Sequence, residues 1–213
     1  MLPTDGTAHA VDVMLEIAEE NRKLKSFYMS RFVPESPVSI SYSGREYFWL
    51  YARPKEELAE NLFSLRDASA CKKDAKWVCL NSAARNEDGR LLHLPLLNFC
   101  IPASDKAPAL IRGKFKSVMK KGRGSKTMPG YLLVSGKSYH YIGLKLLTEE
   151  EWLEFMGLAL LFEDSEDSDR FSPIDRRWMG HALRRGFGTL RIFGGEKATP
   201  EAQPEPCVIA FIE

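Results

Sequence analysis

LLVSGKSYHYIGLKLL, residues 132–147, interrupts an apolar run with the small, polar, basic and imidazole-bearing residues SGKSYH and then resumes it. Two strand-like segments therefore flank a short polar break. The break is either a hairpin turn without chemistry or a loop that presents Lys137, Ser138 and His140 to an anionic ligand. Its surroundings favour the ligand. From Lys106 to Thr148 the chain carries ten basic residues and no acidic one: Lys106, Arg112, Lys114, Lys116, Lys120, Lys121, Arg123, Lys126, Lys137 and Lys145. The net charge of +1 hides this block because acid is concentrated elsewhere, in EEE at 149–151 and FEDSEDSD at 162–169. A one-signed block is either a solvated face or a field that attracts phosphates.

Outward from that stretch, hydrophobic periodicity alternates between helix and strand. Residues 10–32 place Val11, Met14, Leu15, Ile17 and Ala18 on one stripe and predict a first helix. The segments 39–44 and 45–53 predict a hairpin turning near Ser43 and Gly44, and 55–65 a short amphipathic helix. Two strands, 76–85 and 90–102, are joined by the turn NEDG. The basic segment 106–122 reads as an amphipathic helix closed by Gly122. Strands at 130–135 and 139–147 frame the polar break. Thr148 with Glu151 three residues on forms a capping box, which predicts a helix. An acidic Asp/Ser loop follows that helix. A further helix is expected from Ser172 as cap, through Pro173 at the first position, to Gly186. Strands at 188–194 and 207–213 flank a proline-rich linker.

Mixed strands and helices with several hairpins predict an α+β, two-layer fold rather than a doubly wound sheet. At 213 residues and 44% apolar content, one domain is expected. No apolar run approaches the roughly 20 residues needed to cross a bilayer, and the N-terminal stretch is acidic where a secretory signal is basic. A soluble, cytoplasmic protein without membrane partners is expected. Cys71, Cys79, Cys100 and Cys207 show neither a CxxC pair nor regular spacing, which argues against a zinc ribbon or a disulfide framework.

The run LPLLNFCIP, a basic helix, GYLLV, SGKSYHYIG and then PIDRR resembles the archaeo-eukaryotic primase, or prim-pol, superfamily, most closely its bacterial primase-like branches. In that superfamily an hhDhD strand supplies metal-binding carboxylates, an SxH motif contacts the incoming nucleotide, and an hD motif adds a carboxylate. Ser138-Tyr139-His140 matches SxH and Ile174-Asp175 matches hD. Leu97-Asn98-Phe99-Cys100 stands where hhDhD falls, with an amide and a thiol in place of two carboxylates. The resemblance implies an RRM-like antiparallel or mixed sheet with packed helices. It divides the chain into a helix and connection (1–36), a prim-pol-like domain (37–195) and a linker with a possible last strand (196–213).

It also implies roles. Asp175 is the metal ligand and, with Asn98, occupies the catalytic positions. Ser138, His140, Lys137, Arg184, Arg185 and Arg191 contact nucleotide, and Lys114, Lys116, Lys120, Lys121 and Arg123 contact nucleic acid. Two-metal nucleotidyl transfer needs hard, negatively charged oxygen ligands for magnesium or manganese. An amide oxygen is neutral and a thiol is soft, so metal binding is expected to be weak or absent. Three readings follow: a nucleotide- or nucleic-acid-binding protein with weakened or absent catalysis, an active metal-dependent nucleotidyltransferase, or a structural subunit that docks a protein partner. Replication, repair and antiphage defence are the settings the resemblance implies. His140 also reads as a satisfied strand histidine, and Asp175 as a helix-terminal carboxylate at the third helical position. His181, six residues after Asp175, falls on another helix face and is assigned to packing. Trp49, Trp77, Trp152 and Trp178 read as core rather than base-stacking residues.

Overall fold

The computed structural model of the chain describes residues 1–32, 45–70, 76–119, 127–162, 173–194 and 205–213. Helix α1 (Ala10–Glu20) buries Val13, Met14 and Ile17. It stops at Asn21, whose backbone N and Nδ2 both donate to the Ile17 carbonyl, at 3.0 and 2.8 Å. The helix expected over 10–32 therefore ends early. Beyond Asn21 the chain switches to a period of two, with Phe27 and Met29 buried and Tyr28 half-exposed, and forms strand β1 (Leu24–Phe32).

Strand β2 (Glu46–Tyr51) pairs antiparallel with β1. The other arm of the expected hairpin, with Ser43 and Gly44, lies outside the described residues. Helix α2 (Lys55–Ala70) runs past the expected end at Leu65. Strands β3 (Trp77–Asn86) and β4 (Leu91–His93) form the expected hairpin, closed where Gly89 N donates to the Asn86 carbonyl at 3.0 Å.

Pro95 divides the strand expected over 90–102. It lacks an N–H and restricts the residue before it, so β4 ends and β5 (Leu96–Asn98) begins in a different sheet. Leu94 N still donates to Ser82 in the first sheet, while the Pro95 carbonyl already accepts from Gly143 in the second. After helix α3 (Ala107–Met119), strands β6 (Gly130–Ser135) and β7 (Ser138–Gly143) form a hairpin whose two-residue turn is Gly136-Lys137, with Gly136 at φ 68°. The polar break in the opening stretch is thus a tight turn, and Ser138 and His140 are strand residues.

Helix α4 (Glu149–Ala159) starts at the expected capping box: the Thr148 hydroxyl accepts from Glu151 N, and the Glu151 carboxylate accepts from Thr148 N at 2.9 Å. Helix α5 (Arg176–Arg185) ends at left-handed Gly186 (φ 76°), as expected. Its N-cap, however, is Asp175 itself, one turn earlier in role than the third helical position read from sequence. Pro173 and Ile174 are held extended by Cys100 N donating to the Pro173 carbonyl and by a bridge between Phe99 and Ile174. Strands β8 (Thr189–Phe193) and β9 (Cys207–Ile212) complete the chain; Ser172, Gly122, the acidic loop at 163–169 and most of the proline-rich linker fall outside the described residues.

The fold is α+β, as the sequence predicts, and its strands form two sheets. One runs β2-β1-β3-β4, with β8 beside the other half of β3; the second runs β5-β7-β6-β9, and every pairing is antiparallel. Tyr131, Leu133 and Ile142 join the core shared with α1, α2 and the first sheet, whereas Leu132, Tyr139 and Tyr141 join the core shared with α3, α4 and α5. Burial on both faces explains why the second sheet's strands read as nearly unbroken apolar runs. Among the described residues no helix is long and apolar enough to cross a membrane.

Gly130 and Gly143 are cross-strand partners. A Cβ on Gly130 meets the Ile142 carbonyl oxygen at 2.5 Å and the Tyr141 ring at 2.6 Å. Gly130→Ala is expected to destabilise the chain by about 1–3 kcal/mol, read as a lower urea midpoint at unchanged m-value. His93, 2% exposed, stacks on Trp152 with ring centroids 4.7 Å apart. Burial lowers its pKa below the ordinary value, with Glu149 pulling the other way. The unfolded chain therefore accepts a proton that the folded chain refuses. This contribution to stability is complete above about pH 6.5 and is lost as pH falls toward the lower folded value. Between about pH 7 and about pH 5, the melting temperature of His93→Phe is expected to decline less than that of the wild type.

Candidate functional site

A cavity of about 410 Å³ opens where the two sheets meet. Cross-strand register builds one wall. Asn98 pairs with His140, and Ser135 with Ser138, so alternation turns these side chains to the face of the second sheet that looks toward the first. The first sheet answers with Cys79 and Arg191, also cross-strand partners, and with Trp77 and Thr189. Phe32 at the end of β1 and Arg45 before β2 close one side, the guanidinium lying 4.0 Å from the ring centroid. Lys137, at the hairpin tip, reaches the rim.

Helix α5 supplies the third wall. Trp178, His181 and Arg185 recur at spacings of three and four and form one stripe facing the cavity. His181 is thus a cavity residue and not simply a packing one. Its six-residue separation from Asp175 misled because Asp175 is the cap, with its carboxylate directed by other contacts. Asp175 Oδ1 accepts from Trp178 N at 2.9 Å, and Oδ2 accepts from Asn98 Nδ2 at 3.0 Å. Asp175 N in turn donates to the Asn98 carbonyl at 3.0 Å.

Of the other residues singled out from sequence, Arg184 is exposed and does not line the cavity. Lys114 and Lys116 sit on α3, across the second sheet from it. Lys120, Lys121 and Arg123 lie outside the described residues. Trp152 is core, whereas Trp77 and Trp178 line the cavity. Arg45 and Cys79 had no sequence signal for this site, and Trp77 and Trp178, expected in the core, line it because distant strands and α5 meet there.

The charged side chains that line the cavity have one sign. Arg45, Lys137, Arg185 and Arg191 contribute positive charge, and no aspartate or glutamate lines it among the described residues. Arg191 is 6% exposed; its Nη1 donates to the Gly194 carbonyl at 3.1 Å, its Nη2 lies 3.4 Å from Ser135 Oγ, and its guanidinium is 5.5 Å from the Trp77 ring centroid. Burial lowers its pKa, but a guanidinium starts high enough to stay charged. Burial also pushes the Cys79 thiol up to about 12, against the pull of Arg45, Arg191 and Arg185. At neutral pH Cys79 is a neutral thiol rather than a nucleophile or metal ligand.

The positions that the resemblance assigns to metal behave differently. Asn98, Cys100 and Asp175 do come together: Cys100 Sγ lies 3.6 Å from the Pro173 carbonyl, and its pKa is raised by burial and by the Asp175 charge. Yet both Asp175 oxygens already accept hydrogen bonds, and Asn98 turns an N–H₂ toward the carboxylate. Among the described residues no three His, Cys, Asp or Glu side chains are grouped to hold a metal ion. The donor set does not fit a magnesium centre, which needs several oxygen ligands.

The archaeo-eukaryotic primase 1D-like family matches residues 54–203, more than half of the chain, and the chain belongs to that family. The match runs from just before α2 to beyond β8 and so spans Asn98, Cys100, Ser138, His140 and Asp175. No curated protein and no solved structure matches the chain.

Asn98→Asp replaces the donor with a second carboxylate 3.0 Å from the first. The variant is expected to lose about 1–3 kcal/mol at neutral pH, and to recover part of it as pH falls into the carboxyl range, because one of two repelling acids then keeps its proton. With Cys100→Asp added, the melting temperature should fall in EDTA and rise again in magnesium. A melting temperature indifferent to metal would show that three carboxylates here do not converge.

Proposed function

We propose that this primase-polymerase-like protein binds the phosphates of a nucleotide in the cleft between its sheets through cationic side chains rather than through metal ions, with primer synthesis weakened or absent. One observation carries the reading: the cavity holds four positive side chains, two histidines, aromatic walls and no carboxylate among the described residues. A polyanion with a flat base matches that composition. Charge-assisted hydrogen bonds from Lys137, Arg185 and Arg191 suit phosphate oxygens. Ser138 and His140 stand at the family's nucleotide-contacting motif. Trp77 and Trp178 offer ring faces beside these groups.

The altered first motif supports the second half of the reading. A catalytic pair of ions has to neutralise the triphosphate and activate a hydroxyl, and the Asn98–Asp175 pair offers a single carboxylate whose oxygens are engaged. In this cleft the arginines take over the neutralising role without supplying a base.

Calorimetry with a nucleoside triphosphate in EDTA is expected to show binding. Lys137→Ala, an exposed position, should weaken it about tenfold or more, since a hydrogen bond to a charged group is worth about 1.5–3 kcal/mol. His140→Ala should also weaken it. Templated synthesis by the wild type that requires magnesium and disappears in Asp175→Ala would establish the active nucleotidyltransferase instead. Absence of any nucleotide binding would leave the structural-subunit reading.

A further inference from the structure

The outward face of the first sheet carries a cluster of aromatic rings that the cleft does not use. Across β1 and β2 the register is regular: Phe27 and Met29 pair with Leu50 and Phe48 on the core side, while Tyr28 pairs with Trp49 and Ser30 with Tyr47 on the other. Ser26 and Ser30 are buried on this outer face, so the rings cover a polar floor rather than an apolar one. The Tyr28 centroid lies 5.5 Å from Tyr47, 4.8 Å from Trp49 and 5.4 Å from Phe187. Phe187 meets Tyr47 edge-on at 6.1 Å. Tyr47 is 42% exposed and Tyr51, two residues past Trp49, is 58% exposed, so large ring surfaces face water.

Cations border the rings. The Arg85 guanidinium lies 4.4 Å over Trp49, and Arg185 lies 5.3 Å from Phe187 while also lining the cleft. Glu46 pairs in register with Arg31 on the core side of the strands and bonds Arg31 and Lys76. Tyr28, Tyr47 and Trp49 lie outside residues 54–203, so the family match does not reach most of this surface.

We propose that Tyr28, Tyr47, Trp49 and Phe187 form a stacking platform for the bases of a single-stranded nucleic acid, with Arg85 and Arg185 holding its backbone and Arg185 joining the platform to the cleft. Rings at fixed spacing beside guanidinium groups accept flat bases of any identity, because every base has a π-face. A duplex hides those faces in its stack. The choice of nucleic acid over a protein partner rests on the flanking arginines and on the continuity with a cationic cavity. This placement also separates nucleic-acid contact from the basic helix α3.

Fluorescence anisotropy of the full chain with a labelled oligothymidine of about 16 nucleotides, compared with an abasic strand of the same length, tests the proposal without any variant. Binding at least about fivefold tighter to the strand with bases is expected. Tyr47→Ala should erase that preference at unchanged melting temperature, and Tyr47→Phe should keep it. Equal affinity for the two strands would overturn the proposal, as would a preference that survives Tyr47→Ala, or no binding at all. Free-nucleotide binding sensitive to Lys137→Ala would persist through any of these outcomes, which keeps the platform's failure distinct from the cleft's.

Discussion

The hydrogen bond from the Asn98 amide to the Asp175 carboxylate governs the geometry of the cleft. It joins the end of β5 to the start of α5 at 3.0 Å, while the other Asp175 oxygen caps the helix at Trp178. A capping interaction of this kind stabilises by about 1 kcal/mol, but its larger effect is to set where α5 begins and how it is rotated. With Asp175 as cap, Trp178, His181 and Arg185 fall on the side that faces the cavity. An aspartate at position 98 would repel the same carboxylate unless a cation came between them. The amide hydrogen bond thus ties the end of β5 to the start of α5.

The charged side chains that line the cleft, among the described residues, are all positive. In a two-metal centre, carboxylates, ions and phosphates balance one another. Here no carboxylate lines the cleft among the described residues, and Arg45, Lys137, Arg185 and Arg191 border it. Burial strengthens the effect, because Arg191 at 6% exposure acts through a medium that screens less than water. The crossing at Leu94-Pro95 makes the arrangement possible by sending one continuous segment from the first sheet into the second, so that Asn98 reaches His140 while β3 remains beside Arg191.

Features encoded within a few residues were legible in the sequence. The Thr148–Glu151 capping box and the Gly186 stop stand where local chemistry puts them, while the polar break read as a ligand-facing loop is a two-residue turn at Gly136-Lys137. Features that depend on competition or on distant partners were not. The stripe from Val11 to Ala18 was extended through LKSFYMSRF because apolar residues continue there, and only Asn21 bonding back to Ile17 marks the change of period. Pro95 was visible but was read as part of one strand, since nothing local reveals that its two sides belong to different sheets. Cys79, Trp77 and Arg191 meet through antiparallel register between β3 and β8, more than a hundred residues apart. No window of sequence carries that information. The aromatic face arises in the same way, from β1 paired with β2 and then joined by Phe187.

Diffraction from crystals soaked with a nucleoside triphosphate and manganese, recorded where manganese scatters anomalously, tests in one experiment whether the cleft binds phosphate without a metal centre. Phosphate density against Lys137, His140 and Arg191, with no anomalous peak within coordination distance of Asn98, Cys100 or Asp175, is the predicted result. A manganese peak ligated by Asp175 and bridging to the triphosphate would contradict it.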